Sequence, residues 1–555
     1  MTLLERINQR AARSRIGRYF KLEGSGAVDE RAGTSLTMEL RAGLATFVAM
    51  AYIISVNSTV VTESGGPCDC GALAPYANAT QIQGGCVDVP EYMACLDVVK
   101  KDMITATVAI SAIGTFLVGV LANLPLGLAP GMGLNAYFAY TVVGFHGTGS
   151  TSYRVALAAV FIEGIIFLLL SILGIRQWLA RIIPQSIKVA TGAGIGMFLA
   201  FLGLQSSAGM GLIAADPATL VTLGGCPPEY MDENQVCQGH GMESARMWLG
   251  IGGFVMISLL LLYRVKGSIL IGILLISIIS WPRSTAVTNF PYTEAGNRGW
   301  EYFKQVVDVH PIQMTAGALE FDLTSGEIWV ALITFLYVDI LDTTGTMFSM
   351  AKFGGYMDER GDFAGSTMAF CSDALAVSIG ALLGTPPITT FVESGAGITE
   401  GGRTGITAIS ISFLFILSLF FSPIFASIPG WATGPALVIV GSMMARSARD
   451  VNWDYLGDAV PAFLTMALMP LTYSIAYGLI GGICSYIAIN SIVGIISWAT
   501  RGRIRPDQEN KESWQAFFTQ DGKELLPEWM GRASRWIRPH EVGIVGHEHE
   551  HDPEA

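Results

Sequence analysis

Five acidic residues lie inside long apolar stretches that contain no lysine or arginine: Glu163, Asp339, Asp342, Asp373 and Glu393. A carboxylate at the centre of a bilayer costs roughly 3 kcal/mol, so such a group normally lines a polar cavity or serves a proton relay. Asp339 and Asp342 lie one turn apart, on nearly the same face of a helix. A carboxyl at this depth can accept hydrogen bonds from a ligand's N–H groups, or bind and release a proton.

Glu393 and Asn135 each follow a break in an apolar stretch. Residues 124–138 and 384–398 begin with prolines and glycines, and Ile388 to Val392 favours an extended segment. We predict that each stretch is a short β-strand reaching mid-membrane, followed by a half-length helix. Paired strands would satisfy backbone groups that lipid cannot, and the helix N-termini would point N–H groups into one cavity. Glu393, Asp339 and Asn135 are then expected at one depth. The alternative is two continuous helices kinked at their prolines.

The composition is typical of a polytopic membrane protein. Of the 555 residues, 51% are apolar and only 14% are charged, which is too few charges for soluble domains. The net charge of −12 provides no overall basic surface for nucleic acid. Apolar runs of ~20 residues recur along the chain and predict an all-α membrane fold. We place fourteen spans near residues 43–61, 103–122, 128–147, 155–175, 187–205, 247–263, 267–282, 328–349, 367–384, 388–402, 405–424, 431–445, 459–474 and 475–499.

Basic residues concentrate in both tails and in the connections on the tails' side of the membrane, which predicts that both termini are cytoplasmic. The basic N-terminus meets no apolar stretch until about residue 43, so no cleavable signal peptide is expected. The opposite-side loops contain Asn78 in a glycosylation sequon and six of the eight cysteines: Cys68, Cys70, Cys86, Cys95, Cys226 and Cys237. These cysteines indicate exterior disulfides whose pairing the sequence leaves open. Zinc binding at Cys68 and Cys70 is the alternative. The loops are typical of a plasma-membrane glycoprotein of a eukaryote.

The two halves of the chain resemble each other in order. Span 3 opens with Ala129-Pro130 and span 10 with Thr385-Pro386, while spans 5 and 12 begin with Ala190-Thr191-Gly192 and Ala432-Thr433-Gly434. Seven is an odd number of spans, so the second copy enters the membrane from the opposite side. This 7+7 inverted repeat is typical of alternating-access transporters.

Three segments carry a resemblance to a known family: Ala-Pro-Gly-Met-Gly-Leu-Asn-Ala-Tyr-Phe (129–138), Asp-Ile-Leu-Asp-Thr-Thr-Gly (339–345) and Thr-Phe-Val-Glu-Ser-Gly-Ala-Gly (390–397). They resemble the AzgA-like adenine, guanine and hypoxanthine transporters, which are relatives of the nucleobase/ascorbate transporters. The likeness extends over about 32–500. It implies the fourteen-span fold of the uracil transporters, with short strands breaking spans 3 and 10. It also implies six regions: a cytoplasmic tail (1–42), core (43–175), gate (176–326), core (327–424), gate (425–500) and a cytoplasmic tail (501–555).

The resemblance implies a transporter rather than an enzyme, without cofactor or metal. Its expected activity is proton-coupled uptake of purine nucleobases, with an elevator-like movement of the core against the gate. Its expected partners are a purine, a proton, membrane lipid and a second copy of the chain in a homodimer. The expected substrate residues are Glu393, Asp339, Asn135, Ser394, Gly395, Tyr52 and Phe138, and the expected proton-coupling residues are Asp339, Glu393 and Asp342.

Other interpretations accompany several of these assignments. Tyr52 and Phe138 could stack on a flat ligand, although each aromatic could equally serve helix packing. For Glu163 and Asp373 an architectural role is favoured. Glycines of spans 5 and 12, such as Gly196 and Gly434, are expected to form smooth surfaces against which the core slides. An anion exchanger of the same 7+7 fold is the alternative function, and a membrane enzyme or sensor is a more distant one.

Overall fold

The structure is a computed structural model that describes residues 3–27, 29–68, 89–175, 184–205, 209–216, 219–227, 230, 237, 239–322, 324–357, 363–501 and 503. Within these residues the protein is a bundle of apolar helices with two small two-stranded sheets. Eight helical segments are long and apolar enough to cross a membrane, and three shorter apolar helices accompany them. The polytopic helical class is therefore confirmed, whereas the number of fourteen spans stays a prediction.

The elements follow the chain in two halves. The first contains α1 (Leu3–Arg13), α2 (Arg15–Tyr19), α3 (Leu36–Met50), α4 (Ile53–Thr62), α5 (Pro90–Leu117), β1 (Leu128–Pro130), α6 (Met132–Ala136), α7 (Tyr153–Leu173), α8 (Gln185–Leu204), β2 (Ile213–Asp216), β3 (Leu220–Leu223), α9 (Ala245–Leu262), α10 (Ser268–Ser280) and α11 (Glu294–Phe303). The second contains α12 (Gly326–Gly354), α13 (Ser366–Leu383), β4 (Ile388–Thr390), α14 (Ser394–Thr399), α15 (Gly405–Ser418), α16 (Ser422–Ala426), α17 (Gly430–Ala445), α18 (Leu456–Leu471) and α19 (Ile475–Ala499).

Local sequence explains where several long helices begin and end. Ser152, Ser325 and Ser474 precede α7, α12 and α19, and each hydroxyl accepts a hydrogen bond from the backbone N–H three residues later. This bond satisfies a donor that the first helical turn leaves free. At the other end, Gly174 and Gly355 adopt a left-handed conformation with φ of 70° and 72°. Glycine takes this conformation without steric cost and so ends α7 and α12.

The strands β1 and β4 pair antiparallel, with Leu128 opposite Thr390 and Pro130 opposite Ile388. Each strand leads into a short helix, α6 or α14. The outer edge of β1 is satisfied by α5, because the Thr115 hydroxyl lies 2.9 Å from the Leu128 nitrogen and 3.1 Å from the Leu128 oxygen. The pairing therefore gives non-helical backbone the partners that it needs when it lies inside protein at membrane depth.

The helices pack as two groups. In one group, α7 packs along α12 and α13, and α15 packs on α3 and α5. In the other, α8 packs along α17 and α18, α18 packs on α19, and α9 packs on α10 and α17. Contacts between the groups are more limited and include those of α6 with α8 and of α3 with α10. We call these the first and second helix groups.

The glycines of α8 and α17 do not form the expected sliding surface. A Cβ at Gly196 would lie 2.5 Å from the Gly441 oxygen, and one at Gly434 would lie 2.5 Å from the Met210 nitrogen. A Cβ at Gly194 would lie 2.6 Å from the Met469 sulfur. These residues allow close backbone approach inside the second helix group. The sliding-surface interpretation was therefore wrong, because the glycine face of α8 is already covered by α17 and α18.

The cysteine prediction is confirmed for two pairs, since disulfides join Cys68 to Cys95 and Cys226 to Cys237. Each bond closes a loop inside one helix group, either between α4 and α5 or between α8 and α9. The three remaining predictions for this side of the protein, at Cys70, Asn78 and Cys86, lie outside the described residues.

Candidate functional site

Tyr52 and Glu393 bring the two halves of the chain together beside the paired strands β1 and β4. Tyr52 lies between α3 and α4, and Glu393 precedes α14 after the β4 strand. The Tyr52 hydroxyl donates a hydrogen bond of 2.9 Å to Glu393 Oε1. Tyr52 is buried, whereas Glu393 is partly exposed. Glu393 is thus an accessible carboxyl whose position is fixed by a buried phenol.

Asp342 is the second carboxyl on this side of the site. It lies on α12, is partly exposed, and its carboxyl accepts a hydrogen bond from Thr389 of β4. Asp342 also acts electrostatically on Glu393. The two accessible acids are therefore Glu393 and Asp342. They leave acceptor atoms for the N–H groups of a ligand.

Asp339 is fully buried, unlike Asp342 one turn later. Its Oδ1 accepts a 2.9 Å hydrogen bond from the Thr343 hydroxyl, which also lies 3.2 Å from Asp373 Oδ2 and 3.0 Å from Thr389 Oγ1. The carboxyls of Asp339 and Asp373 both act electrostatically on the carboxyl of Glu163. The structure thus places Asp339 in a buried group of acids contributed by α7, α12 and α13.

Asn135 belongs to a polar chain on α6. Its Nδ2 donates a 2.6 Å hydrogen bond to Asn57 Oδ1, and the Asn57 amide donates a 2.7 Å bond to Thr107 Oγ1. All of these side chains are buried. Asn135 Oδ1 accepts no hydrogen bond from the described residues. The chain fixes α6 against α4 and α5 and leaves one amide oxygen available.

Ser394 and Gly395 are already engaged by the protein. The Ser394 backbone N–H donates to the Phe391 oxygen at 3.1 Å, and that of Gly395 donates to the Val392 oxygen at 3.0 Å. The Ser394 hydroxyl accepts a 3.0 Å bond from the Gly127 nitrogen. The tight turn before α14 therefore uses both amides in this structure, and the assignment of Ser394 and Gly395 to the substrate site stays a prediction.

Phe138 is a core residue in this structure. It is fully buried, and its ring meets Tyr153 edge-on at 5.6 Å and Phe335 at 6.3 Å. In this structure the ring packs among other aromatic side chains, as in the helix-packing interpretation, and its contact with a ligand stays a prediction. Tyr52 contributes a hydroxyl rather than an exposed ring face.

Three functional candidates were missed by the sequence analysis or assigned to architecture. Thr343 and Thr389 connect the acids, but a threonine in an apolar helix gives no distinctive sequence signal. Glu163 was favoured as an architectural residue, although the lack of any cationic partner in its stretch was a usable signal. Among the described residues, no group of three or more His, Cys, Asp or Glu side chains has the arrangement of a metal site.

Comparison with known proteins adds an independent line of evidence. Residues 81–481 match the family model Xan_ur_permease, which describes a permease family. A protein of Aspergillus versicolor named the efflux pump notK′ is 53% identical over 534 residues, which cover 95% of this chain and 91% of that protein. A protein of Schizosaccharomyces pombe named as a xanthine/uracil permease is 51% identical over 532 residues, covering 95% and 83%.

Two more distant matches follow: one is a permease named for its substrates, and the other is a solved structure with a similar fold. The guanine/hypoxanthine permease PbuG of Bacillus subtilis is 36% identical over 460 residues, which cover 82% of this chain and 90% of that protein. The transmembrane domain of a cyanobacterial bicarbonate transporter, BicA, matches with a TM-score of 0.51 and 12% identity, covering 80% of this chain and 97% of that chain. This last match shows a shared fold and carries no information about the transported molecule.

Proposed function

The chain belongs to the xanthine/uracil permease family, and we propose that it carries the purine nucleobases adenine, guanine and hypoxanthine across the plasma membrane together with a proton. Members of this family are permeases rather than enzymes. The named activity of the bacterial guanine/hypoxanthine relative supports the purine class.

The observation that carries this proposal is the pair of partly exposed acids, Glu393 and Asp342, at the paired strands. A purine presents N–H groups along its edge, and a carboxylate accepts such hydrogen bonds strongly. Glu393 would bind one N–H edge, Asp342 would approach from α12, and Asn135 would position α6. Tyr52 would keep Glu393 oriented.

The two helix groups support a transport mechanism by alternating access. We assign the first group to a moving core that carries Glu393 and Asp342, and the second to a fixed gate that forms a homodimer. Their limited mutual contacts allow one group to move against the other. The inverted repeat is the arrangement that such transporters use.

The site disfavours the alternative of an anion exchanger. An anion entering between Glu393 and Asp342 would be repelled by both carboxylates. The only basic residues of α3, α12 and α13 are Arg41 and Lys352. Arg41 is exposed and forms an ion pair with Glu400, and Lys352 is exposed near the end of α12. The fold shared with a bicarbonate transporter therefore does not extend to its substrate.

Uptake of labelled adenine, guanine and hypoxanthine into cells without their own purine uptake tests the proposal. We expect uptake that is faster at pH 5.5 than at pH 7.5 and that is reduced about tenfold to a hundredfold by Glu393→Gln, because a hydrogen bond to a charged group contributes about 1.5–3 kcal/mol. An exposed acid, Glu294 of α11, provides the control Glu294→Gln. Transport of sulfate or bicarbonate in place of purines would refute the proposal.

The direction of transport requires a second experiment, because the relative in Aspergillus versicolor is named an efflux pump. Cells are loaded with labelled adenine and transferred to medium without purine at pH 5.5. An uptake system driven by protons retains the label, whereas an exporter releases it faster than cells without the protein. Net release under this gradient would contradict uptake while leaving purine as the substrate.

A further inference from the structure

We propose that Glu163 and Asp339 together bind the coupling proton, as a hydrogen-bonded pair of carboxyl groups that is separate from the substrate site. The inference deepens the proposed function, on which its consequence for transport rests. Glu163 lies near the middle of α7 and Asp339 near the middle of α12, and both side chains are fully buried. They therefore lie far from the ends of their membrane-spanning helices.

The contact between the two carboxyls requires a proton. Neither oxygen of Glu163 accepts a hydrogen bond from an N–H or O–H donor of the described residues, and Asp339 Oδ2 also lacks one. The carboxyls of Glu163 and Asp339 nevertheless act directly on each other across the packed α7 and α12 helices. Two ionised carboxylates repel each other and have no hydrogen to donate, whereas one shared proton converts the repulsion into a hydrogen bond. The pair therefore holds one proton and one negative charge.

The groups around Glu163 and Asp339 also favour the binding of one proton by the pair. Asp373 faces the pair from α13, and Asp342 acts on Asp339 from the same helix. The Thr343 hydroxyl reaches both Asp339 and Asp373, but it has a single hydrogen and can donate to only one of them. In α7, α12 and α13, the only basic residues are Arg154 and Lys352, which are exposed near helix ends.

The position of Glu163 is set by tight packing. A Cβ at the neighbouring Gly164 would lie 2.8 Å from the Ser378 nitrogen and 3.0 Å from the Ala374 oxygen. The backbones of α7 and α13 thus approach closely beside Glu163. Between α7 and α12 the packing is apolar, with Ala159, Ile328 and Leu332 buried. Water has little access to the pair in this state, so the proton remains bound until the surrounding helices rearrange.

A chain of hydroxyls connects the acid pair to the substrate site. Thr343 contacts Asp339 on one side and Thr389 of β4 on the other, and Thr389 donates to Asp342. When the proton leaves the pair for cytoplasmic water, Asp339 carries a full negative charge and competes with Asp373 for the Thr343 hydrogen. This change alters the hydrogen bonding of Thr389, and so of Asp342 beside Glu393. Proton release and substrate release are coupled in this way.

Glu163→Gln tests the role in transport. The glutamine amide donates permanently to Asp339 and so imitates the protonated acid. For one proton per neutral purine and with the membrane potential abolished by an ionophore, a gradient of one pH unit supports at most about a tenfold accumulation of purine. We expect the variant to lose this accumulation while equilibrium exchange of labelled adenine continues, and Glu163→Asp to restore part of the accumulation. The control is Glu327→Gln, which changes an exposed acid in the first turn of α12. Normal accumulation by Glu163→Gln would overturn the inference.

Infrared spectroscopy of the purified protein tests the proton without any substrate. The C=O stretching band of neutral carboxylic acids should be present at pH 7, shift in D₂O, and lose the intensity of one acid in Glu163→Gln but not in Glu327→Gln. A band that the Glu163 substitution leaves unchanged would refute proton binding at this pair. If the band behaves as expected but the wild-type protein transports no purine, the proposed function fails while the proton site stands.

Discussion

At the scale of single residues, neighbouring acids on one helix have different surroundings. Asp339 is fully buried between α12 and the neighbouring helices α7 and α13, whereas Asp342 is partly exposed beside Glu393. Three residues along a helix rotate a side chain by about 60° from the starting direction. This rotation is enough to separate a buried acid from an accessible one. Two chemical tasks, proton binding and ligand binding, can therefore be assigned to adjacent turns.

Tyr52→Phe should weaken purine binding, because it removes the hydroxyl that orients Glu393 and leaves the ring in place. Loss of one hydrogen bond to a charged group corresponds to about 1.5–3 kcal/mol, so we expect the apparent KM for adenine to rise about tenfold or more. Measured uptake at several adenine concentrations provides this value. The matched control is Tyr19→Phe, whose hydroxyl donates to the Val120 oxygen at 2.6 Å. Equal KM values for the two variants would contradict the role of Tyr52.

The sequence predicted which residue types matter but not how they are grouped. It identified Glu393, Asp339 and Asp342 from their unpaired charge in apolar stretches. It could not show that Asp339 faces Glu163, because the rotation of α12 about its axis is decided by packing against α7 and α13. It also assigned Ser394 and Gly395 to the substrate site. The sequence does not show which backbone N–H groups already form hydrogen bonds within a tight turn.

At the scale of elements, close contact between backbones determines how near the helices of the second helix group lie to each other. Gly196 of α8 and Gly441 of α17 face each other, and a Cβ at either position would meet backbone atoms of the other helix. Backbone atoms cannot rotate away as a flexible side chain can. The distance between α8 and α17 is therefore fixed by the absence of side chains at these two positions.

Gly196→Ala should destabilise the protein, because the new methyl group would lie 2.5 Å from the Gly441 oxygen and 2.7 Å from the Ala445 nitrogen. Overpacking of this kind costs about 1–3 kcal/mol. We expect a lower thermal unfolding midpoint in detergent. The control is Gly252→Ala in α9, where nothing lies within 4 Å of the new Cβ and where alanine favours the helix. A midpoint for Gly196→Ala equal to that of the control would contradict this packing argument.

Long apolar elements were the most predictable part of the fold. The span predicted at 475–499 corresponds to α19, and the one predicted at 367–384 to α13, Ser366–Leu383. The ends of these helices are determined locally, by the length of the apolar run and by the glycines or prolines that interrupt it. The helices α1 and α2 and the β2–β3 hairpin were not predicted. They lie outside the membrane-spanning stretches, where the apolar pattern is weak and tertiary contacts such as that of Tyr19 with Val120 determine the structure.

At the scale of the whole molecule, the two helix groups meet on both sides of the site. On the side that we propose is exterior, the Thr141 hydroxyl donates to the Tyr473 oxygen at 2.6 Å, and the Tyr140 and Tyr473 rings meet edge-on at 5.9 Å. On the opposite side, Lys266 of the second group forms an ion pair with Glu400 of the first. Movement of one group against the other must break at least one of these contacts.

The exterior contact should respond to pH through Glu63, which follows α4 and accepts a 2.7 Å hydrogen bond from Tyr140. Burial raises the pKa of Glu63 from 4.5 to about 7, although the Tyr140 hydrogen bond opposes the shift. A carboxyl with a raised pKa contributes stability that is complete below pH 4.5 and is lost as the pH rises through 7, by up to roughly 3 kcal/mol.

The unfolding midpoint should therefore fall between pH 5 and pH 8, and Glu63→Gln should reduce this fall because glutamine cannot ionise. Thermal unfolding at both pH values measures the effect. Glu91→Gln is the control, since Glu91 is exposed in the first turn of α5 on the same side of the protein. An identical pH dependence in wild type and Glu63→Gln would refute the assignment.

The placement of the two disulfides has a consequence for redox conditions. The Cys68–Cys95 bond joins the end of α4 to α5, and the Cys226–Cys237 bond closes a loop between α8 and α9. Neither crosses from one helix group to the other. Oxidation or reduction of either bond can therefore tighten or loosen its loop without locking the two helix groups in one arrangement. Thiol chemistry at these cysteines acts on the stability of each group rather than on movement between the groups.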